Sequence, residues 1–145
     1  MAIESEPLFT VRLQRDNDTA VTVPNGPKGT RLIAAVAPGG RFEGDRLSGE
    51  ILVGTSGDWA TAVTGGGFVV DARLTLRTDD GAAILMSYRG VGGYEDTGGA
   101  WMHIAPVFET GDERYDWINR VQCLGFGRLE ENTVVYEVEI VTGRS

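Results

Sequence analysis

Apolar and polar residues alternate along most of the chain, which is typical of strands with one buried face. Between positions 70 and 77 the even positions carry Val, Ala, Leu and Leu, and the odd positions carry Asp, Arg, Thr and Arg. A turn at Asp80 and Gly81 follows, and a second strand runs back to position 90. An inward apolar face would give an ordinary core hairpin. An inward charged face would enclose Asp71 and Arg73, which is rarely done without a functional purpose.

The same alternation predicts further short strands. In chain order they cover residues 8–15, 19–24, 30–37, 47–54, 58–63, 101–108, 121–130 and 133–141. Pro106 indicates an edge or a bulge in its strand. Residues 109–120 lack alternation and predict one short helical turn, with Asp112 as a candidate cap. The pattern therefore predicts an all-β fold: one small antiparallel β-barrel domain over residues 1–145, with about eight to ten strands and at most one helical turn.

Composition narrows the possible partners. The chain has 145 residues, with 13 Lys and Arg, 21 Asp and Glu and a net charge of −8. Such an acidic chain argues against nucleic-acid and membrane-surface binding. There is no secretory signal pattern and no apolar run of the roughly 20 residues that a membrane span needs, so a soluble cytoplasmic protein is expected.

Metal and cofactor sites are not expected either. Cys123 is the one cysteine and His103 the one histidine, so neither an intramolecular disulfide nor a zinc site built from Cys and His can form. The acidic residues at positions 109, 112, 113 and 116 lack the order of an EF-hand loop. The glycine run at 65–67 is not followed by a phosphate-binding helix.

A series of short motifs resembles the DUF3237 family, also called UPF0311. The motifs are, in this order, FEGDRLSG, GDW, DARLTLRTDDGA, SYRG, PVFETGDERYDWINR and GFG, and the resemblance extends from about Glu6 to Val138. The chain departs from the family pattern at Gly57, Leu74 and Ile118, where Ala, Tyr and Leu are usual. The resemblance implies a small antiparallel β-barrel, and it implies a fold more firmly than an activity.

The family-like motifs gather Asp, Arg, Trp, Tyr and Asn from segments that lie far apart in sequence. Together with the strand parity at positions 71 and 73, they predict one cavity lined by polar groups. Arg73 is expected to oppose Arg89 across the hairpin. The predicted site residues are Asp71, Arg73, Arg89, Glu109 and Tyr115 as catalytic groups, with Trp59, Trp117 and Asn119 binding the ligand.

Two functions fit such a cavity. The first is a cofactor-independent enzyme that isomerises or cyclises a small organic molecule, or adds or eliminates water. Asp71 or Glu109 would act as the base, Arg73 and Arg89 would stabilise a developing enolate or alkoxide, and Tyr115 would be a donor. The second is a non-catalytic carrier of a small apolar or carboxylate ligand, in which the arginines would hold an anion. A third possibility is that the polar face is simply solvated.

Which face of the 70–90 hairpin points inward also decides the expected assembly. If the charged face lines the cavity, the apolar face around Leu74 points outward and must be covered. That arrangement predicts a two-fold homodimer that packs barrel wall on barrel wall. A leucine-filled interior would instead permit a monomer.

Overall fold

The alternating segments form eleven strands and one 3-10 helix in the computed structural model, which describes residues 2–144. The strands are β1 Ile3–Arg15, β2 Val21–Gly26, β3 Gly29–Glu43, β4 Ser48–Ile51, β5 Gly57–Ala62, β6 Phe68–Thr78, β7 Ala83–Tyr94, β8 Ala100–Ile104, β9 Val107–Glu109, β10 Cys123–Glu130 and β11 Thr133–Arg144. The helix is Glu113–Arg120, and the Asp112 side chain caps it by accepting a hydrogen bond from the amide of Arg114. The predicted all-β fold is confirmed, and the eight-residue helix is longer than the single turn that was expected.

Eight of the strands close into an antiparallel ring. Their order is β6, β5, β3, β1, β11, β10, β8 and β7, and the β6–β7 hairpin closes the ring. Closure pairs both edges of every strand in the ring, so the ring has no free sheet edge. Of the other three strands, β2 pairs with β3, β4 bridges β3 and β6, and β9 pairs with β7.

One more strand is present than the alternation predicts, because the expected strand 101–108 is split. Its first half, β8, lies in the ring between β7 and β10. Its second half, β9, pairs with β7. The break falls at Pro106, which has no amide hydrogen to donate to a ladder and which is fully buried.

The apolar face of β6 fills the barrel. Leu74 and Leu76 are 1% and 0% exposed, whereas Arg73 is exposed on the outer wall and Asp71 points outward with one-third of its side chain accessible. The expectation of an inward Asp71 and Arg73 is therefore wrong. Burying a leucine side chain stabilises the fold by about 1.5–3 kcal/mol, while enclosing an unpaired charge costs several kcal/mol. Because Leu74 lies inside the barrel, its face also needs no partner subunit to cover it.

One end of the barrel is closed by the helix and by an aromatic cluster. Ile118 of the helix is fully buried. Phe9 contacts Phe42 and Phe108, with ring centroids 5.4 and 5.8 Å apart. Within residues 2–144, no helix has the length and apolar character needed to cross a membrane.

Candidate active site inside the barrel

The barrel encloses a cavity of about 90 Å³ near the start of β6. Aliphatic and aromatic side chains form most of its wall, as is usual for sites that bind small molecules. The lining residues with polar side chains are Asp58, Arg15, Tyr88, Tyr94 and Tyr136. The apolar lining includes Leu13, Leu32, Val36, Phe68, Val70, Leu74, Met102, Leu129 and Val134.

Asp58 reaches the cavity because of its position in β5. It lies opposite Ala34 of β3 and opposite Ala72 of β6, and both of these side chains are buried. Directly opposed residues of antiparallel strands share a face, so Asp58 points inward. Its Oδ1 accepts a hydrogen bond from the backbone amide of Asp71 at 3.1 Å. The barrel therefore does hold a carboxyl group in its interior, and that group is Asp58.

The surroundings of Asp58 favour its neutral form. Burial raises the pKa of this carboxyl group to about 6, against 3.8 for an ordinary aspartate. The hydrogen bond from the Asp71 amide and the positive charge of Arg15 lower the pKa, but by less than burial raises it. Near neutral pH the group can therefore both donate and accept a proton.

Two buried tyrosines share the cavity with Asp58. Tyr88 and Tyr136 are 5% and 3% exposed, and their rings meet edge to face with centroids 5.4 Å apart. Burial raises the pKa of both hydroxyl groups, and the negative charge of Asp58 raises both further. Both groups therefore stay protonated at neutral pH. The two side chains are hydrogen-bonded to each other, which raises the pKa of Tyr88 and lowers that of Tyr136, so Tyr88 is the donor. The hydroxyl hydrogen of Tyr136 is then available to an oxygen atom in the cavity.

A second aromatic pair covers the cavity where it reaches the surface. Phe68 and Tyr94 both line the cavity, with ring centroids 5.3 Å apart, and Tyr94 is 64% exposed. The Phe68 ring lies directly against Gly92, where a Cβ atom would approach it to 2.4 Å. Glycine at this position therefore makes room for the ring over the cavity.

None of the eight predicted site residues lines this cavity. Asp71 and Arg89 form an ion pair on the outer wall at 3.7 Å, and Arg89 is 74% exposed. Arg73 lies opposite Ser87 and not opposite Arg89. The turn is closed by a hydrogen bond from the amide of Thr78 to the carbonyl of Ala82, and counting back from this pair fixes the observed register. The expected Arg73–Arg89 pairing was thus wrong by two residues.

The aromatic and amide candidates lie elsewhere. Trp59 is next to Asp58 in β5, so it points outward, and it is 41% exposed. Glu109 and Asn119 border an open surface depression of about 670 Å³. The Asn119 side chain holds the backbone of Thr110 through hydrogen bonds of 2.8 and 3.0 Å. These contacts order a loop on the outer surface.

The remaining two candidates belong to the helical end of the barrel. The hydroxyl group of Tyr115 donates to Asp80 at 2.8 Å, and Trp117 lies under the guanidinium group of Arg46 at 3.5 Å. Asp80 follows β6, whereas the cavity lies at the start of β6. The prediction of one shared cavity for all eight residues is therefore wrong.

The sequence does carry a signal for the groups that line the cavity. Asp58, in the GDW motif, has the same strand parity as the apolar Ala60. Tyr136 occupies an apolar position of the strand 133–141. Tyr88 occupies the same face as Ile84 and Met86. Among the described residues, no group of three or more His, Cys, Asp or Glu side chains is placed to hold a metal ion.

A closed antiparallel barrel with a small apolar cavity, one inward carboxyl group and two buried hydroxyl groups has the architecture of a small-molecule barrel. The chain belongs to the family described as "Protein of unknown function (DUF3237)", whose sequence profile matches residues 3–141. The resemblance noted in the motifs is thereby confirmed over nearly the whole chain.

Comparison with individual proteins supports the same fold. A β-barrel-like protein of Acinetobacter baumannii superposes with a TM-score of 0.86 at 26% identity, over 98% of each chain. An enzyme of Penicillium herquei superposes with a TM-score of 0.71 at 21% identity, over 97% of this chain and 96% of that one.

One curated protein is related in sequence. The hydroalkoxylation enzyme phnH of Penicillium herquei is 30% identical over 87 residues, which make up 60% of this chain. The matched segment spans about half (51%) of that enzyme's length.

Proposed function

We propose that this protein is a cofactor-independent acid–base enzyme that acts on a small, mostly apolar organic molecule bearing a hydroxyl group. The observation that carries the proposal is the placement of Asp58, a carboxyl group with a pKa of about 6, in an otherwise largely apolar cavity. General acid–base catalysis is most effective when the pKa of the catalytic group lies near the working pH, and it contributes about 10²–10⁴-fold in rate.

The related enzyme suggests the type of reaction. Hydroalkoxylation adds an O–H group across a C=C bond: a C–O bond forms, the double bond is lost, and the proton moves from oxygen to carbon. In the intramolecular form, substrate and product have the same atoms, and no oxidant or reductant is consumed. We therefore favour an isomerising cyclisation as the reaction of this chain, or the addition of an O–H group to a C=C bond or its reverse, an elimination.

The cavity supplies a group for each step of such a reaction. Neutral Asp58 gives its proton to the alkene carbon, and the resulting carboxylate then takes the proton from the attacking hydroxyl group. The hydroxyl group of Tyr136, which accepts a hydrogen bond from Tyr88, donates a hydrogen bond that orients the substrate oxygen. Arg15, which also lines the cavity, stabilises the Asp58 carboxylate that forms when the proton is given up, because its positive charge lowers the pKa of that group.

The substrate enters past Phe68 and Tyr94. The cavity of about 90 Å³ is smaller than the roughly 300–1,000 Å³ typical of ligand sites, so these rings must turn outward to admit a molecule of ten or more heavy atoms. A location in the cytoplasm is proposed from composition alone, because the single cysteine provides no disulfide for an oxidising compartment.

Proton transfer to carbon provides a direct test. The full chain is incubated in D₂O with ortho-prenylphenol, whose intramolecular hydroalkoxylation gives a dimethylchroman, and the product is examined by mass spectrometry and NMR. We expect deuterium at the carbon that receives the proton. Asp58→Asn should lower the rate by at least about 100-fold. Asp71→Asn, the same chemical change on the outer wall, should retain most of the rate.

The alternative of a non-catalytic carrier predicts a different result. A carrier would bind the prenylphenol, as seen by ligand-observed NMR, without incorporating deuterium. That outcome, or an unchanged rate in Asp58→Asn, would contradict the proposed enzyme.

A further inference from the structure

The outer wall of the barrel carries an exposed apolar strip on β7, β8 and β10. The strip consists of Val91, Trp101, His103, Leu124 and Phe126. Val91, Leu124 and Phe126 are 52%, 40% and 66% exposed. The ring of His103 contacts both Trp101 and Phe126, with centroids 4.8 and 5.1 Å apart. A contiguous, exposed apolar surface of this kind marks an interaction site.

Charged residues of opposite sign border the strip on its two long sides. On β7, the Arg89 side chain is 74% exposed, and its contact with Asp71 is long at 3.7 Å. On β11, Glu137 is exposed and Glu139 is partly exposed. Each of the two charges already has one partner within the subunit, since Asp71 lies beside Arg89 and the Ser5 hydroxyl group donates to Glu139. Because Arg89 and Glu139 carry opposite charges on opposite sides of the strip, the surface is complementary to itself once it is turned around.

We propose that this strip joins two copies of the chain in a two-fold dimer. The proposal does not depend on the activity of the interior cavity. It also differs from an interface at Leu74, because Leu74 lies in the core.

The order of the strands fixes the symmetry axis. In the ring these strands are ordered β7, β8, β10 and β11. The two-fold axis lies in the interface, parallel to the strands and between β8 and β10. Rotation by 180° about this axis places β7 opposite β11 of the partner subunit. The same axis lays β8 on the partner's β10. This rotation does not change the position of a residue along the strand direction. Residues that are directly paired across neighbouring strands form a row, and each row therefore meets the same row of the partner subunit.

The row that contains Arg89 ends at Glu139. The carbonyl of Arg89 accepts a hydrogen bond from the amide of Ala105, and on the other side Leu124 is paired with Glu139. The axis therefore places Arg89 against Glu139 of the partner subunit, twice in each dimer. Packed sheets lie about 10 Å apart, a distance that an arginine and a glutamate side chain can span together.

The next row supplies the apolar centre. His103 and Phe126 are directly paired within one subunit, and they lie on either side of the axis. The rotation therefore stacks His103 on Phe126 of the partner subunit. This contact removes the most exposed aromatic ring of the strip from water.

Light scattering coupled to size exclusion tests the proposal at micromolar concentration. The unmodified chain is expected at twice its mass of 15.6 kDa. Phe126→Ser should raise the dimer dissociation constant by at least about 30-fold, because central aromatic residues dominate interfaces. Arg89→Glu and Glu139→Arg should each give a monomer, since each places like charges together at both contacts.

Mixing the two charge-reversed chains makes the test specific. In their heterodimer, Glu replaces Arg at position 89 of one chain and faces Arg at position 139 of the other, while the second contact is unchanged. The mixture is therefore expected to recover the dimer mass. Lys28→Glu, in the turn between β2 and β3, changes the net charge as Arg89→Glu does and should leave the dimer intact.

Three results would overturn the proposal: a monomer for the unmodified chain, a dimer that withstands Phe126→Ser, or a mixture that stays monomeric. Circular dichroism and thermal unfolding of each variant establish that the barrel is folded. All substituted side chains are outward-facing, so folding should be retained.

Discussion

Asp58 and Asp71 are joined by a hydrogen bond of 3.1 Å from the backbone amide of Asp71 to Oδ1 of Asp58. The regular pairing of β5 with β6 is interrupted beside this contact, at Trp59 and Ala60. The interior carboxyl group thus takes the place of a backbone carbonyl as the acceptor. The side chain of Asp71 points the other way, toward Arg89 on the outer wall. One residue therefore fixes the orientation of the cavity carboxyl group through its backbone alone.

The first prediction concerns the titration of Asp58. Because burial outweighs the hydrogen bond and the charge of Arg15, its pKa should be about 6. Carbon-detected NMR of the aspartate carboxyl groups should show one resonance that titrates near this pH. The resonance should be absent in Asp58→Asn. A titration midpoint near the ordinary value of 3.8 would show that the carboxyl group is solvated.

The second prediction concerns stability as a function of pH. The pKa of Asp58 is raised on folding, so between about pH 4 and pH 6 the native state binds more protons than the unfolded state. The free energy of unfolding therefore falls as pH rises through this window, by about 1–3 kcal/mol from this group. Urea unfolding at several pH values measures the effect.

Asp58→Asn is the control for this prediction, because carboxyl groups whose pKa is lowered on folding act in the opposite direction. The pKa of Asp112 is lowered to about 2, mainly by the hydrogen bond from the Arg114 side chain, so its contribution is lost as pH falls. Subtracting the free energy of unfolding of Asp58→Asn from that of the unmodified chain removes the contributions of the other carboxyl groups. A difference that does not change between pH 4 and pH 6 would contradict the raised pKa of Asp58.

Alternation predicted the strands well but not the direction in which β6 faces. Apolar and polar residues alternate regularly along β6, so the pattern does not say which of the two faces is buried. Only the free-energy cost of burying each face distinguishes them. Leu74 and Leu76 gain more from burial than Asp71 and Arg73 could, because the two charged side chains would lose water. Resemblance to a family does not distinguish the two faces, since a motif records which residues recur and not where they point.

The cavity groups escaped prediction for a different reason. Asp58 lies in a six-residue strand, where a two-residue period is seen only a few times. Tyr88 and Tyr136 come from strands far away in sequence, and they meet Asp58 only because the ring closes. The sequence of a short strand shows which of its residues share a face. Which residues of other strands they meet inside the barrel depends on strand order and register.

The third prediction tests how the cavity wall is built. Gly127 lies opposite Tyr136, and a Cβ atom at Gly127 would come within 2.3 Å of the Tyr136 ring. Gly127→Ala should therefore displace this ring and lower the free energy of unfolding by about 1–3 kcal/mol. It should also shift the NMR resonances of Tyr88, which packs on the same ring.

Gly111→Ala is the matched control, because a Cβ atom there would meet nothing within 4 Å. It should leave both stability and the tyrosine resonances nearly unchanged. If the two alanine variants behaved alike, the close packing of Tyr136 on Gly127 would be refuted.

The last prediction compares two adjacent residues of β6. Leu74 is 1% exposed and lines the cavity, whereas Arg73 is exposed on the outer wall. Leu74→Ala should lower the free energy of unfolding by about 2–5 kcal/mol, because it removes buried apolar groups and enlarges a void. Arg73→Ala should change it by less than about 0.5 kcal/mol, as is usual for surface substitutions. Urea unfolding of both variants at one pH decides the matter: a large loss in Arg73→Ala together with a small one in Leu74→Ala would mean that the charged face of the strand is the inner one.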